Sequence, residues 1–502
     1  MVCQAVHDPA AGVGAPREGE AIEGIASLVD KSLLHPEEER QDEPRFRMLE
    51  TIREYGLECL VASGEAQAVQ RAHARYYLAL AEAAEPQLTG PDQAVWLEQL
   101  EAEHDNLRAA LRWVEESGAV EEGLRLAGAL CQFWLARSYL REGQECLARL
   151  VPLARTSMPM AARVKVLTGA GHLAHNQGDY VAARALFEES LALWREIGDK
   201  RGIATALNDL GWVAWRQGNY AAARTLSAES LALWKDLGER QGMATALTNL
   251  GWLAHHQSDY AEARALFEES LTLRRALEDT RGVAFSLALL GWAWSKQGAY
   301  SHAAGLLEEA VARFRDVGMQ QLLAFASSLL AEVAHAQGED GHAAALLEES
   351  VTLFRDIRDK WGLALALTTL GTVVYAQGDA RQAMALYEES LALRTALTDK
   401  HGIAECFEGM AEIAGAQRHL ERAAQLLGAA ETLRATIGAP LAPRERARGE
   451  RHVSVARAGL GDTVFGAAWA AGQTTALEPA SGFSTAHAQG ISEPEDRDDM
   501  AC

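Results

Sequence analysis

The chain has 502 residues, of which 48% are hydrophobic and 23% charged, and its formal net charge is -23. Such apolar content is ample for a large core or several domains, while the acidic balance argues against a direct grip on nucleic acid, which needs clustered Lys and Arg. No run approaches the roughly 18 apolar residues of a membrane span, and 1–20 lacks a basic region followed by an apolar one, so no secretory signal is expected and a cytoplasmic location follows.

In chain order, 1–21 is rich in Gly, Ala and Pro and is expected to be disordered. Residues 22–65 read as a helix over 25–34, a charged loop over 35–44, a short strand over 45–49 and a helix over 50–62. Residues 66–160 read as two helical hairpins, 67–118 and 120–153, with apolar stripes that include Tyr76, Leu80, Trp96, Leu107, Phe133 and Trp134. Their spacing is irregular, as suits units that cap an array. Pro152 and Pro159 mark a joint before that array.

From 161 to 420 one pattern is written about six and a half times. Gln177, Gln217, Gln257, Gln297, Gln337 and Gln377 recur every 40 residues, and Glu188-Glu189-Ser190, Glu268-Glu269-Ser270, Glu348-Glu349-Ser350 and Glu388-Glu389-Ser390 keep the same clock. A period of this length marks a solenoid whose units bury their apolar faces only against their neighbours. Each copy splits at its Gln-Gly turn into two amphipathic segments. Ala204, Leu207, Gly211 and Ala214 share a face of the first; Tyr220, Ala223, Leu226, Ser230 and Leu233 share a face of the second, with Asn219 as its N-cap. Gly171, Gly211, Gly251, Gly291 and Gly371 sit mid-helix at one phase, where Gly costs about 1 kcal/mol relative to Ala. Close approach of the partner helix is the expected compensation. Residues 421–437, 443–460 and 462–471 read as closing helices of a cap over 421–473, and 474–502 as a disordered acidic tail.

Leu210-Gly211, Gly218, Tyr220 and Ala223, repeated as Leu250-Gly251, Tyr260 and Ala263, resemble the tetratricopeptide repeat in a longer, roughly 40-residue form. Ala331 and Ala411 stand in for the small Gly, and Asp340 and Ala380 for the Tyr. The words LVDKSLL at 28–34, RFRMLETIREY at 45–55, HARYY at 73–77 and WLEQLEAEHDNLRAAL at 96–111 resemble the end of the winged helix and the following segment in bacterial signal-transduction ATPases, including regulators of the LuxR type. LLGAAE at 426–431 and FGAAWAAG at 465–472 are similar to their C-terminal cap. The resemblance implies an all-α right-handed superhelix, a tetratricopeptide-type α-solenoid with a short winged-helix-like remnant at 22–65. Its first helices would line a concave groove that binds a protein or peptide. The phosphate loop GxxxxGK[ST] is absent from the sequence, so ATP hydrolysis is not expected of this polypeptide. In the regulator architecture the winged helix packs inside the ATPase module, which argues against DNA reading by this fragment.

Residues that recur in every copy are explained by the copying, whereas groove-facing residues that vary are free to meet a ligand. By the resemblance the varying set is Asn208, Trp212, Trp215 and Arg216 in one copy, Thr248, Trp252, His255 and His256 in the next, and Trp292 and Lys296 in the third. The same phase later carries Glu405, Glu408 and Glu412, so an aromatic and partly basic section passes into an acidic one. Trp and Arg are frequent binding hot spots. The alternative, that Trp212, Trp252 and Trp292 are core between repeats, stays open at this point. The Glu pairs, being copied, read as solvated helix faces rather than catalytic dyads. No HExxH or GxSxG motif occurs, and Cys3, Cys59, Cys131, Cys146, Cys406 and Cys502 are scattered, so no enzyme activity, metal or cofactor is expected. The expected function is a protein- or peptide-binding scaffold in a bacterial regulatory system, with self-association as a further possibility. The alternative is a truncated or split ATPase-type transcription regulator whose nucleotide- and DNA-binding functions lie on another polypeptide.

Overall fold

A computed structural model of the chain describes residues 18–40, 43–89, 93–137, 139–154, 160–441 and 443–477. The expected disordered N-terminus falls almost wholly, and the acidic tail mostly, outside the described residues. Two compact units are present, Met1–Gln177 and Gly178–Cys502.

In the first unit a helix, Glu18–Asp30, leads into an antiparallel pair of strands, Leu34–Arg40 and Glu43–Met48, followed by the helix Glu50–Ser63. The strands pair Leu34 with Met48, His35 with Arg47 and Pro36 with Phe46. The charged loop expected over 35–44 is therefore a strand for most of its length. Its Pro36 and acidic run hid it, since both read as loop, yet a two-stranded hairpin consists of edge strands, where proline is tolerated. Beyond it lie Ala66–Ala84, a 3-10 turn Glu85–Thr89, Gln93–Ala102 and His104–Ser117, so 67–118 holds three α-helices rather than one hairpin. Val120–Ala136 and Leu140–Ala154 do form the expected pair, and Pro152 sits inside the second of them. Tyr77, Leu107, Val114, Leu124, Phe133, Trp134 and Leu150 are almost completely buried and form this unit's core.

The second unit is built from helices of 16 to 18 residues, most of them in antiparallel pairs. Each first helix, such as Lys200–Arg216 or Arg240–His256, is followed by a second, Tyr220–Leu237 or Tyr260–Ala276. Side-chain caps start many of them: Asn219 accepts from the Ala222 amide at 3.2 Å and Asp259 from the Glu262 amide at 3.0 Å. At the turn between the two helices the chain enters the left-handed region, at Gly218 with φ 73° and, where the copy reads Gln-Ser, at Ser258 with φ 63°. The Glu-Glu-Ser word divides its labour. Its glutamates face outward, largely exposed, while the serine is buried and ties the hairpin together. Ser230 donates to the Ala204 carbonyl at 2.8 Å, Ser270 to that of Ala244 at 3.0 Å, and Ser390 to that of Ala364 at 2.8 Å.

The mid-helix glycines mark the closest approach of paired helices. A methyl on Gly251 would lie 2.4 Å from the Phe267 ring, and one on Gly291 would meet Leu307 at 2.8 Å and the Ala303 carbonyl at 3.1 Å. A second glycine position, Gly242 and Gly362 among others, clears room for the large side chain that ends the preceding helix, Trp234 or Phe354. The array coils until its ends meet. The Gly178 turn abuts Leu397, the Gly218 turn abuts Ile437, and Ser258 donates to the Pro440 carbonyl at 2.8 Å. The first two pairs are separated by the same 219 residues, so one superhelical turn takes about five and a half repeats.

Candidate functional site

Tight coiling turns the first helices of the second unit toward one another across the superhelix axis. The varying residues of the early repeats form a continuous aromatic stack there. Trp212 and Trp215 are stacked at 4.5 Å between ring centroids, Trp215 meets Trp252 edge-on at 5.3 Å, Trp252 meets Trp292 at 5.1 Å, and His255 stacks on Trp292 at 3.5 Å. Rings from later repeats close over it: Trp361 lies 6.2 Å from both Trp215 and Trp252, Phe325 stacks 5.8 Å from Trp252, and His401 meets His256 at 4.6 Å. The inner face is thus largely filled by its own side chains.

Of the ten residues that sequence reasoning singles out, Trp215, Thr248, Trp252, His255 and Trp292 are buried. Thr248 donates to the Ala244 carbonyl of its own helix at 2.9 Å and meets the Ser270 hydroxyl of the paired helix at 3.0 Å. Asn208, Trp212, Arg216, His256 and Lys296 are half-buried. Asn208 accepts from Asn249 at 2.8 Å, one repeat on. Lys296 is held by Glu332 at 2.5 Å and Glu445 at 3.8 Å. Burial works against its charge, but the two carboxylates outweigh burial and push its pKa up.

Trp215, Arg216, His256 and Trp292 line a cavity of about 40 Å³ whose other walls are Tyr180, Tyr220, Trp361, Leu365, Arg394, Asp399, His401 and Glu405. On its far side Arg394 pairs with Asp399 at 2.8 Å and Glu405 at 3.3 Å, and His401 faces Glu405 at 3.7 Å. Arg394 holds the Asp399 carboxyl below its ordinary range in spite of burial. On the near side the Arg216 guanidinium lies over Trp361 at 4.6 Å, Trp215 at 5.0 Å and Trp212 at 5.7 Å. Several polar atoms here are buried without a hydrogen-bond partner: Nε and Nη1 of Arg216, Nε1 of Trp215 and both ring nitrogens of His256, with Nε1 of Trp252 and Nε2 of His255 in the adjoining layer. Burial pulls His255 and His256 well below the ordinary histidine pKa and His401 down to about 3, so all three are neutral at pH 7. Among the described residues no group of three or more potential metal ligands comes together.

Sequence reasoning did not single out Trp361, Arg394, Asp399 or His401. The signal was present for three of them. Trp361 and His401 occupy a repeat position that reads Arg201, Gln241, Arg281 and Gln321 in other copies. Arg394 replaces the Trp234, Phe314 or Phe354 of other copies at a buried register.

Family models agree with the repeat reading. Tetratricopeptide repeat models match 163–316 in overlapping stretches and 363–400, a winged helix-turn-helix domain model matches 2–61, and a model of anaphase-promoting complex subunit 5 matches 293–376. In sequence the chain is 34% identical over 196 residues to a provisionally named HTH-type transcriptional regulator of Mycobacterium bovis, and equally to counterparts in Mycobacterium tuberculosis. The match takes in 37% of this chain and 22% of that protein. In fold it is similar to a Rap protein crystallised with competence and sporulation factor, with a TM-score of 0.53 at 13% identity, over 74% of this chain and 99% of that one. A signal-transduction ATPase with numerous domains and a tetratricopeptide repeat sensor, from Pyrococcus horikoshii, superposes with a TM-score of 0.41 at 15% identity, over 74% of this chain and 58% of that one. Among the described residues no helix is long and apolar enough to cross a membrane. The chain is built around an all-α array of tetratricopeptide repeats, and with its N-terminal winged-helix match it resembles the winged-helix-plus-repeat region of HTH-type transcription regulators.

Proposed function

We propose that this chain is the protein- or peptide-binding sensor of a regulatory system, acting by binding rather than catalysis, with its ligand taken on the inner face of the superhelix. The observation that carries this reading is the contrast between copied and varied positions. Leu, Ala, Gly and Ser positions recur from repeat to repeat and build the hairpins, while the inner face changes from Trp and Arg to Glu along the array. The 34% identity to an HTH-type regulator supports a regulatory setting, and the likeness to tetratricopeptide repeats supports a protein or peptide as partner. Trp212 is the informative residue, because it is half-buried while Trp215, Trp252 and Trp292 of the same stack are buried. Binding of the intact chain to an arrayed library of random peptides, measured beside Trp212→Ala with matching far-UV circular dichroism, tests the reading. Selective loss in the variant is expected; peptides bound equally by both proteins place recognition elsewhere and refute it.

A second reading is that the array serves a larger regulator whose nucleotide- and DNA-binding functions lie on a separate polypeptide. The winged helix-turn-helix match at 2–61 favours it. Co-purification with an ATPase bearing GxxxxGK[ST] supports it, and repeated purification without such a partner counts against it.

A further inference from the structure

We infer that the two open edges of the superhelix are complementary docking surfaces for a second copy of this chain, which extends the coil head to tail. The inference does not depend on the inner-face reading.

At the end of each second helix one repeat position is always aliphatic: Ile197, Leu237, Leu277, Val317, Ile357, Leu397 and Ile437. Each stands at the same point of its hairpin, so together they form a row along one edge of the coil. The opposite edge is made by the turns inside the hairpins, at Gly178, Gly218, Ser258, Gly298, Gly338 and Gly378.

Exposure divides the row. Ile197, Leu237, Leu277 and Val317 are between 38% and 55% exposed, whereas Leu397 and Ile437 are 4% and 5% exposed. Surroundings within a repeat are copied along with the repeat and do not account for so large a difference. What differs is the neighbour one superhelical turn away: Leu397 packs on the Gly178 turn and Ile437 on the Gly218 turn. The turns at Gly298, Gly338 and Gly378 are open, since a methyl built on any of them meets nothing within 4 Å among the described residues. The molecule therefore makes one kind of contact twice internally and leaves the two halves of that contact unmatched on its two edges.

Aliphatic residues exposed singly are ordinary. Four at one repeat position, in a row whose last members are covered by the chain's own turns, specify what fits them. The open turns have the same 40-residue spacing as the row. Gly298, Gly338 and Gly378 of one copy can thus seat together on three consecutive members of the row in the next, and every such register includes Leu237 and Leu277. The two surfaces differ, so the interface is heterologous, each added copy presents a new open edge, and growth does not close. A few side chains per copy make a small interface, which places the association in the weak class. The net charge of -23 opposes it, and salt, by screening that charge, should strengthen it.

Sedimentation of the full chain from about 1 μM to about 500 μM, the span of weak interfaces, tests the inference. The weight-average mass should climb steadily past that of a dimer. Two variants each block one edge. Leu237→Glu with Leu277→Glu charges the row at exposed positions. Gly338→Arg with Gly378→Arg fills the turns, at a repeat position where this chain already carries Arg418 with φ 65°. With circular dichroism matching the wild type, each variant alone should stay monomeric. Mixed in equal amounts they should form dimers and stop there, because each keeps the edge that the other has lost. A wild-type chain that stays monomeric throughout the range overturns the inference, as does wild-type growth by either variant. Two monomeric variants that fail to pair when mixed show that the edges are not complementary, and overturn it equally.

Discussion

Two glycine-to-alanine substitutions in the repeat array should act in opposite directions, and the structure sets the size of each. Gly305 lies exposed inside the helix Tyr300–Asp316, and an added methyl would meet nothing within 4 Å. Gly305→Ala therefore gains helix propensity alone and should stabilise by about 1 kcal/mol. Gly251, inside Arg240–His256, gains the same propensity, but its methyl would lie 2.4, 2.7 and 3.0 Å from three ring carbons of Phe267. Phe267 is 0% exposed, so moving its ring disturbs the core around it. Overpacking of this kind costs about 1–3 kcal/mol, and contact with three rigid ring atoms puts the cost near the upper end. The net effect of Gly251→Ala is a loss of about 2 kcal/mol, so the two variants should differ by about 3 kcal/mol. Urea denaturation followed by circular dichroism measures this as a separation of midpoints at a common slope. Equal stabilisation by both substitutions would refute the account of close helix approach at Gly251.

Acid should weaken the second unit. His255, His256 and His401 have folded pKa values below their unfolded ones, so above about pH 6.5 both states are deprotonated and nothing is lost. Below it the unfolded chain binds protons that the folded chain refuses. Each histidine then removes up to about 1.4 kcal/mol per pH unit until its folded pKa is reached, near 3 for His401. Tm should fall between pH 7.5 and 5.5, less so in His401→Gln, and a flat profile in the wild type counts against buried neutral imidazoles. Removing Arg394 should cost more than removing Arg274, which occupies the same repeat position. Arg394→Leu leaves Asp399 and Glu405 without their cation and should cost about 3–5 kcal/mol. Arg274 only donates to the Gly282 carbonyl at 2.9 Å and to Thr248 at 3.3 Å, with no ion pair among the described residues, so Arg274→Leu should cost about 1–3 kcal/mol. Urea midpoints of the two variants decide it, and equal costs would deny the carboxylate pairing its role.

The hairpins were legible because their signals are local. Apolar spacing, the Asn219 cap and the mid-helix glycines each act within one repeat, and forty-residue copying repeats every signal until chance is excluded. The winged-helix hairpin was half hidden, since an edge strand with Pro36 and consecutive glutamates carries no apolar alternation. The inner-face residues were found by asking which positions vary, but their burial was not predictable from one repeat. Trp252 is only 3% exposed because Phe325 and Trp361 pack over it. Those contacts depend on a small rotation per repeat summed over several repeats, which no single copy encodes. For the same reason the cavity wall formed by Arg394, Asp399 and His401 escaped a reading organised by sequence proximity.

Assembly of the cavity from repeats distant in sequence bears on how such a site could signal. Arg216 and His256 come from the start of the array, and Trp361, Asp399 and His401 from its later part. Their separation is set by superhelical pitch rather than by any one hairpin. In a solenoid each repeat packs mainly on its neighbours, so a small change in angle at each junction accumulates across the intervening copies. Contacts between early and late repeats hold the present pitch: Leu397 against the Gly178 turn, Ile437 against the Gly218 turn and the Ser258 hydrogen bond to Pro440, beside the ring contacts of Trp361 and His401 across the cavity. Glycine at two of these points is what lets the turns meet, since a methyl on Gly178 would come within 2.9 Å of Leu397 and one on Gly218 within 2.7 Å of Ile437. A group that enters between the early and late walls of the cavity works directly against those contacts. A ligand bound between these walls would therefore be coupled to the curvature of the array, because it touches repeats from both ends at once.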